Sequence, residues 1–84
     1  MSSGARVLAY VERHVLPDAR ADYLADVHAR RLIATKVDAH FWVFEQVDEP
    51  GRFVEFTEAA AAMNVAAVHG GVLPAPLWRE VQGG

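Results

Sequence analysis

A hairpin in the middle of the chain is the feature that most constrains its fold. Two runs rich in aromatic and β-branched residues, His40–Val47 and Arg52–Thr57, flank an Asp-Glu-Pro-Gly sequence. Such runs are typical of β-strands. Pro50 presets φ and Gly51 accepts positive φ, so Glu49–Arg52 predicts a type II turn. The segment therefore predicts two antiparallel strands joined by a tight turn.

The first strand of this hairpin carries large apolar side chains on both faces. Successive side chains point to opposite faces of a strand, and the two sets are His40, Trp42, Phe44 and Gln46 on one face and Phe41, Val43, Glu45 and Val47 on the other. An antiparallel sheet with one wet face instead alternates apolar with polar residues. The sequence therefore predicts a sheet that is covered on both sides.

The segments around the hairpin complete the order of elements. Hydrophobic periodicity and turn residues predict a strand over Arg6–Leu16, a helix from the N-cap Asp18 to about Val37, a helix over Glu58–Val68 and a strand over Leu77–Gln82. On the first helix we expect Tyr23, Leu24 and Val27 to face the sheet. The order βαββαβ with right-handed crossovers predicts an α+β, ferredoxin-like fold, in which both helices cover one face of a four-stranded antiparallel sheet.

A sheet with two apolar faces and helices on only one of them predicts a homodimer. The uncovered face would expose an apolar patch larger than the few hundred Å² that soluble monomers usually tolerate. We expect this face to pack against the same face of a second chain and to close a barrel across the dimer. The alternative is a monomer with exposed aromatic side chains.

Length and composition agree with this expectation. A chain of 84 residues fits one domain, which we place at residues 5–82, and a domain of this size buries only about 60% of the surface of its unfolded chain. The sequence contains no cysteine, so disulfides cannot supplement the core and a cytoplasmic location is favoured. The net charge of −3 and the scattered basic residues argue against a nucleic-acid partner. We also expect neither a secretion signal nor a membrane span, because no charged leader precedes a long apolar run.

The opening strand, Val7–Val11, and the hairpin, Phe41–Phe56, resemble the dimeric α/β-barrel superfamily, and within it the antibiotic biosynthesis monooxygenase-like group. His69 near the end of the second helix fits the same resemblance. Members of that group include cofactor-independent oxygenases of phenols, haem-degrading enzymes, isomerases and proteins without known activity. The resemblance implies a cofactor-free monooxygenase or isomerase that acts on a small aromatic or quinone-type molecule.

Four histidines supply the candidate acid or base groups, since the imidazole pKa lies near neutrality. None of them occurs in a local metal-binding pattern, so the sequence predicts no metal site, and the resemblance to cofactor-independent oxygenases implies no cofactor. The candidate catalytic residues are His69 and His14. The candidate substrate-binding residues are Tyr10, Trp42 and Met63. If the face of Tyr10 and His14 looks towards the helices, His69 and Met63 would close a cavity above it.

Two functions therefore stay open from the sequence. The first is the metal-free enzyme, whose aromatic walls and histidine base would hold and deprotonate a flat ring. The second is a non-catalytic dimeric protein that binds a small molecule or takes part in assembly, in which Tyr10 and Trp42 belong to the core or the dimer interface. The two functions differ in whether the candidate side chains meet in one accessible cavity.

Overall fold

A computed structural model describes residues 5–81 of the chain and contains a four-stranded antiparallel sheet with two helices. The elements in chain order are β1 (Val7–His14), a single 3₁₀ turn (Pro17–Ala19), α1 (Arg20–Lys36), β2 (His40–Glu45), β3 (Arg52–Ala59), α2 (Ala62–Val68) and β4 (Leu77–Arg79). The strands lie in the order β2-β3-β1-β4, and every neighbouring pair is antiparallel. The predicted α+β fold and βαββαβ order are confirmed.

The boundary between β3 and α2 lies later than the sequence predicts. Glu58 and Ala59 pair with Leu8 and Val7 of β1, so the ladder continues for two residues into the segment that we expected to be helical. Helix α2 then begins at Ala62. Alanine favours helices in isolation, but pairing with a central strand outweighs that preference.

The start of α1 also differs from the prediction. Asp18 lies in the 3₁₀ turn, and Ala19 occupies the N-cap position without a side-chain hydrogen bond. Helix α1 buries Val27, Arg30 and Ala34 against the sheet. Of the three side chains expected to face the sheet, Val27 is buried and Tyr23 packs against the core, whereas Leu24 is exposed.

The hairpin turn has the geometry that its Pro-Gly sequence predicts. Gly51 has φ +91°, and the backbone N–H of Arg52 donates to the carbonyl oxygen of Glu49 at 3.2 Å. The N–H of Val15 donates to the carbonyl oxygen of Gly51 at 2.7 Å, which fastens the turn to the chain just after β1. A Cβ atom on Gly51 would lie 2.5 Å from the Val15 carbonyl oxygen, so glycine is required here for space as well as for φ.

The register divides the sheet into two faces with different surroundings. The helices cover the face of Ala9, Phe41, Thr57 and Ala59, and the core forms between this face and Val27, Ala34, Val65 and Val68. The opposite face carries no helix or strand of the described chain. We call it the open face, and its apolar side chains are Leu8, Tyr10, Trp42, Phe44, Val54, Phe56 and Trp78.

Candidate functional site

A buried carboxylate lies at the centre of the helix-covered face. Glu55 on β3 is 0% exposed. Arg30 of α1 donates from its two terminal nitrogens to the two oxygens of Glu55, each at 2.9 Å. The hydroxyl of Tyr23 donates to Glu55 at 2.6 Å, and the Nε of Arg13 donates at 3.1 Å. Asp26 accepts from the Nε of Arg30 at 2.8 Å, and these five residues form the Glu55 network.

The periodicity of α1 positions the helical members of this network. Tyr23, Val27, Arg30 and Ala34 follow the spacing of one helix face, and that face is the one that packs on the sheet. The guanidinium of Arg30 also lies 4.9 Å from the ring centroid of Phe41, so its charge faces both a carboxylate and an aromatic ring. Each buried charge of the network is thus compensated.

The network controls the protonation of its own members. Burial by itself raises the pKa of Glu55, but the hydrogen bonds from Arg30 and Tyr23 and the charges of Arg30 and Arg13 outweigh it and lower the pKa to about 2. Burial raises the pKa of the Tyr23 phenol, and its hydrogen bond to Glu55 raises it further. At neutral pH Glu55 is therefore ionised, and Tyr23 is a protonated donor.

His69 lies beside this network at the end of α2. Its Nε2 is 2.7 Å from the hydroxyl oxygen of the buried Thr57, and its ring meets Phe41 edge-on at 6.1 Å between centroids. Burial lowers the pKa of His69, and the nearby charge of Arg30 lowers it further. The imidazole is therefore neutral at pH 7 and able to accept a proton.

A cleft opens from the Glu55 network to the surface. It has a volume of about 230 Å³ and is lined by Arg13, Asp26, Arg30, His69 and Gly70. We call it the His69 cleft. Gly70 has φ +69°, and nothing lies within 4 Å of where its Cβ would be, so the chain beyond α2 leaves this side of the cleft open.

The structure separates the candidate site residues into two groups. Tyr10, His14 and Trp42 lie on the open face, whereas His69 lies across the sheet on the helix-covered face, and Met63 is exposed to solvent. The face of Tyr10 and His14 therefore does not look towards the helices, so the condition for a cavity shared with His69 and Met63 is not met. The reason is the register of β1, which turns the intervening odd-numbered residues towards the helices.

The candidates on the open face have local partners. The hydroxyl of Tyr10 donates to Glu12 at 2.7 Å, and the Nε2 of His14 lies 3.3 Å from a carboxylate oxygen of Glu49. The ring of Trp42 stacks on His40 at 5.5 Å between centroids. The catalytic roles of His14 and His69 and the ligand contacts of Tyr10, Trp42 and Met63 stay predictions.

Sequence reasoning did not identify the Glu55 network. The partners of Glu55 lie on α1 and β1, whereas Glu45 on the neighbouring strand forms a bidentate ion pair with Arg20 at 2.6 and 2.8 Å. The sequence did contain one signal for this network, because Arg30 is a charged residue on the same face of α1 as the buried Val27. Such a residue requires a buried partner, and an acidic residue on a central strand is the natural one.

The open face combines an apolar centre with charged ends. Its Tyr10, Trp42, Phe44 and Trp78 side chains are between 39% and 58% exposed. The ring of Phe56 contacts two of these side chains, with its centroid 5.2 Å from that of Tyr10 and 6.0 Å from that of Phe44. Glu58 joins Arg6 and His40 at one end of the strands, and Arg52 joins Glu12 and Glu49 at the other.

Two further observations bear on partners and cofactors. Within residues 5–81, no group of three or more acidic or histidine side chains is arranged to hold a metal ion. Over the same residues, neither helix has the length and apolar character needed to cross a bilayer.

A comparison with protein-family models, curated proteins and solved structures finds no match to this chain.

Proposed function

We propose that this chain works as a homodimeric binding or assembly protein in which the open faces of two copies pack against each other. The observation that carries this proposal is the uncovered apolar surface of the sheet. Seven apolar side chains lie side by side on it, and four of them are large aromatic residues with 39–58% exposure. Soluble monomers rarely leave a contiguous patch of this kind in water.

The chemistry of the open face supports a protein partner of the same kind. Trp and Tyr are the side chains that most often anchor protein interfaces, since they bury large areas at low conformational cost. The charged residues on this face are already joined in ion pairs near its ends, which leaves the centre apolar. An apolar centre with a polar rim is the usual composition of a homodimer interface.

A metal-free enzyme of the monooxygenase or isomerase type is the second candidate, and the observation that favours it is His69. His69 is a neutral imidazole beside a cleft and can accept a proton there, and its lowered pKa makes it a weaker base than an ordinary histidine. The cleft volume of about 230 Å³ lies below the roughly 300–1,000 Å³ of typical ligand pockets, and the other candidate residues lie elsewhere. For these two reasons we propose the enzymatic function only as the second candidate.

The absolute mass of the chain in solution tests the proposed homodimer. We would measure it by light scattering after size exclusion, across a dilution series that reaches sub-micromolar concentration. We expect twice the mass of the 9.2 kDa chain. A chain that is monomeric at every concentration would refute the interface.

Two substitutions of equally exposed residues locate the interface. Phe44 on the open face is 56% exposed, and Leu32 on α1 is 55% exposed. We expect Phe44→Lys to shift the chain towards monomer, because the new ammonium would lose its water at the centre of an apolar interface. Leu32→Lys should leave the dimer intact. A monomer from Leu32→Lys together with a dimer from Phe44→Lys would move the interface to the helices.

A further inference from the structure

The His69 cleft contains hydrogen-bond donors that the protein itself does not use. Arg13 donates from Nε to Glu55, and its two terminal nitrogens have no partner among residues 5–81. His69 contacts Thr57 through Nε2, and its Nδ1 has no partner within the same residues. Both residues line the cleft, and Arg13 also lines a neighbouring pocket with Glu12, His14, Glu49 and Arg52. A guanidinium and an imidazole therefore border one small space, each with part of its hydrogen-bonding capacity unused.

The contacts of Glu55 show why Arg13 is the residue available to a ligand. Arg30 is the more engaged of the two arginines, because each of its three nitrogens already donates to Glu55 or Asp26 at 2.8–2.9 Å. One oxygen of Glu55 accepts from Tyr23, Arg30 and Arg13, and the bond from Arg13 is the longest of the three at 3.1 Å. Arg13 can thus bind a second carboxylate through its terminal nitrogens while Arg30 keeps Glu55 neutralised.

The charges around the cleft set the charge of the ligand. Arg13 and Arg30 supply two positive charges, and Glu55 and Asp26 supply two negative ones. A single negative charge beside Arg13 gains a favourable ion pair. A second negative charge on the ligand would lie near the carboxylates of Glu55 and Asp26 and would have no cation to pair with. The arrangement therefore favours a monoanion over a dianion such as sulfate.

The shape of the hydrogen-bond donors and the volume of the cleft determine which class of monoanion can bind. The terminal nitrogens of a guanidinium form a planar fork that matches the two oxygens of a carboxylate. The volume of about 230 Å³ corresponds to about eight water molecules at roughly 30 Å³ each. A small organic acid fits this space, whereas a polycyclic molecule does not.

We propose that the His69 cleft binds a small organic monocarboxylate, with Arg13 holding the carboxylate and His69 contacting the ligand through Nδ1. This inference goes beyond the homodimer proposed above and does not depend on it. The cleft and the dimer interface lie on opposite faces of the sheet, so the two are tested by separate measurements.

Calorimetric titration with matched pairs of probes tests the proposal. We would titrate the full chain with benzoate and propionate, and with benzamide and propionamide as neutral molecules of nearly the same shape. We expect each carboxylate to bind at least tenfold more tightly than its amide, and more tightly than inorganic sulfate. Equal binding of acid and amide, or tighter binding of sulfate, would overturn the assignment.

Two arginine variants with matched exposure show where the carboxylate binds. The Arg13 side chain is 45% exposed, and that of Arg20, which does not line the cleft, is 44% exposed. We expect Arg13→Gln to weaken benzoate at least tenfold and Arg20→Gln to leave it unchanged. Equal loss in both variants would show non-specific attraction to surface charge and refute the site. If Arg13→Gln does not fold, Arg13→Lys keeps the charge but not the planar fork, and an affinity equal to that of the original chain would refute the role of the fork.

The titration of His69 provides a readout that does not depend on affinity. A bound carboxylate beside the imidazole favours its protonated form, so benzoate should raise the pKa of His69 as followed by NMR of its ring proton. Benzamide should not change it, and an unchanged pKa with saturating benzoate would refute the contact with His69. The mass of the same samples separates the two proposals, since a monomer that still binds benzoate refutes only the dimer, and a dimer that does not bind it refutes only the cleft.

Discussion

Replacing Glu55 by glutamine tests whether the buried ion pair stabilises the domain. The substitution keeps the size of the side chain but removes the charge that Arg30, Tyr23 and Arg13 all contact. Arg30 would remain buried with only the more exposed Asp26 as an ionic partner. Breaking one side of a buried ion pair typically costs about 3–5 kcal/mol, because the remaining charge is left uncompensated.

The lowered pKa of Glu55, which arises from the same contacts, corresponds to a loss of the same order. The network lowers this pKa from an ordinary 4.5 to about 2, and a difference of about 2.5 units corresponds to about 3 kcal/mol at 1.36 kcal/mol per unit. An 84-residue domain has a total stability of about 4–13 kcal/mol at 0.05–0.15 kcal/mol per residue. We therefore expect Glu55→Gln to remove a large fraction of the folding free energy.

Urea unfolding followed by tryptophan fluorescence measures this loss. All variants are compared at one protein concentration, because the stability of a dimer depends on concentration. Glu45→Gln is the matched control. Glu45 also has a pKa lowered to about 2, in this case by its hydrogen bond with Arg20 and then that with the Gly51 N–H, but water reaches the pair and screens it. We expect a much smaller loss there. Equal losses in the two variants, or none in Glu55→Gln, would refute the reasoning.

The same pKa predicts the response of the original chain to acid. Because the pKa of Glu55 is lower in the folded state than in the unfolded state, its contribution is complete above about pH 4.5 and is lost as pH falls towards about 2. Unfolding free energies measured at intervals from pH 6 to pH 2 should fall over this range. The fall should be clearly smaller in Glu55→Gln, and an identical pH dependence in both chains would contradict the assignment.

Two further substitutions test local features of the fold. Gly51→Ala places a Cβ 2.5 Å from the carbonyl oxygen of Val15 at φ +91°, so we expect the unfolding free energy to fall by at least about 1–3 kcal/mol. Gly70→Ala is the control, because Gly70 has φ +69° but open space around its Cβ position, and its unfolding free energy should fall clearly less. Equal urea midpoints in the two variants would contradict this reasoning. Thr57→Val removes the hydroxyl that contacts His69, and we expect a loss of about 1–3 kcal/mol in the same assay. An unchanged stability of Thr57→Val would show that this contact is not structural.

Local signals in the sequence predicted most of the backbone. The hairpin followed from two β-rich runs and a Pro-Gly turn, and its predicted turn agrees with the positive φ of Gly51. Alternation along β2 placed Trp42 and Phe44 on one face and Phe41 and Val43 on the other, as the register shows. These features depend on residues close together in the chain, where period and turn chemistry are decisive.

Tertiary pairing decided what local signals left open. The alanine-rich segment after Thr57 has the composition of a helix, but its first two residues lie in β3 because β1 supplies a pairing partner. Which face of β1 the helices cover was equally undetermined, since both faces are apolar. The register turned Tyr10 and His14 away from the helices and therefore away from His69.

The sequence by itself determined the order of elements, the hairpin and the two apolar faces of the sheet, because these depend on neighbouring residues and on side-chain period. Only the tertiary structure decided that Glu55 meets Arg30, Tyr23 and Arg13, and that His69 meets Thr57. These partners come from different elements of the chain. Their meeting depends on how α1 and α2 lie across the sheet, and no local pattern specifies that placement.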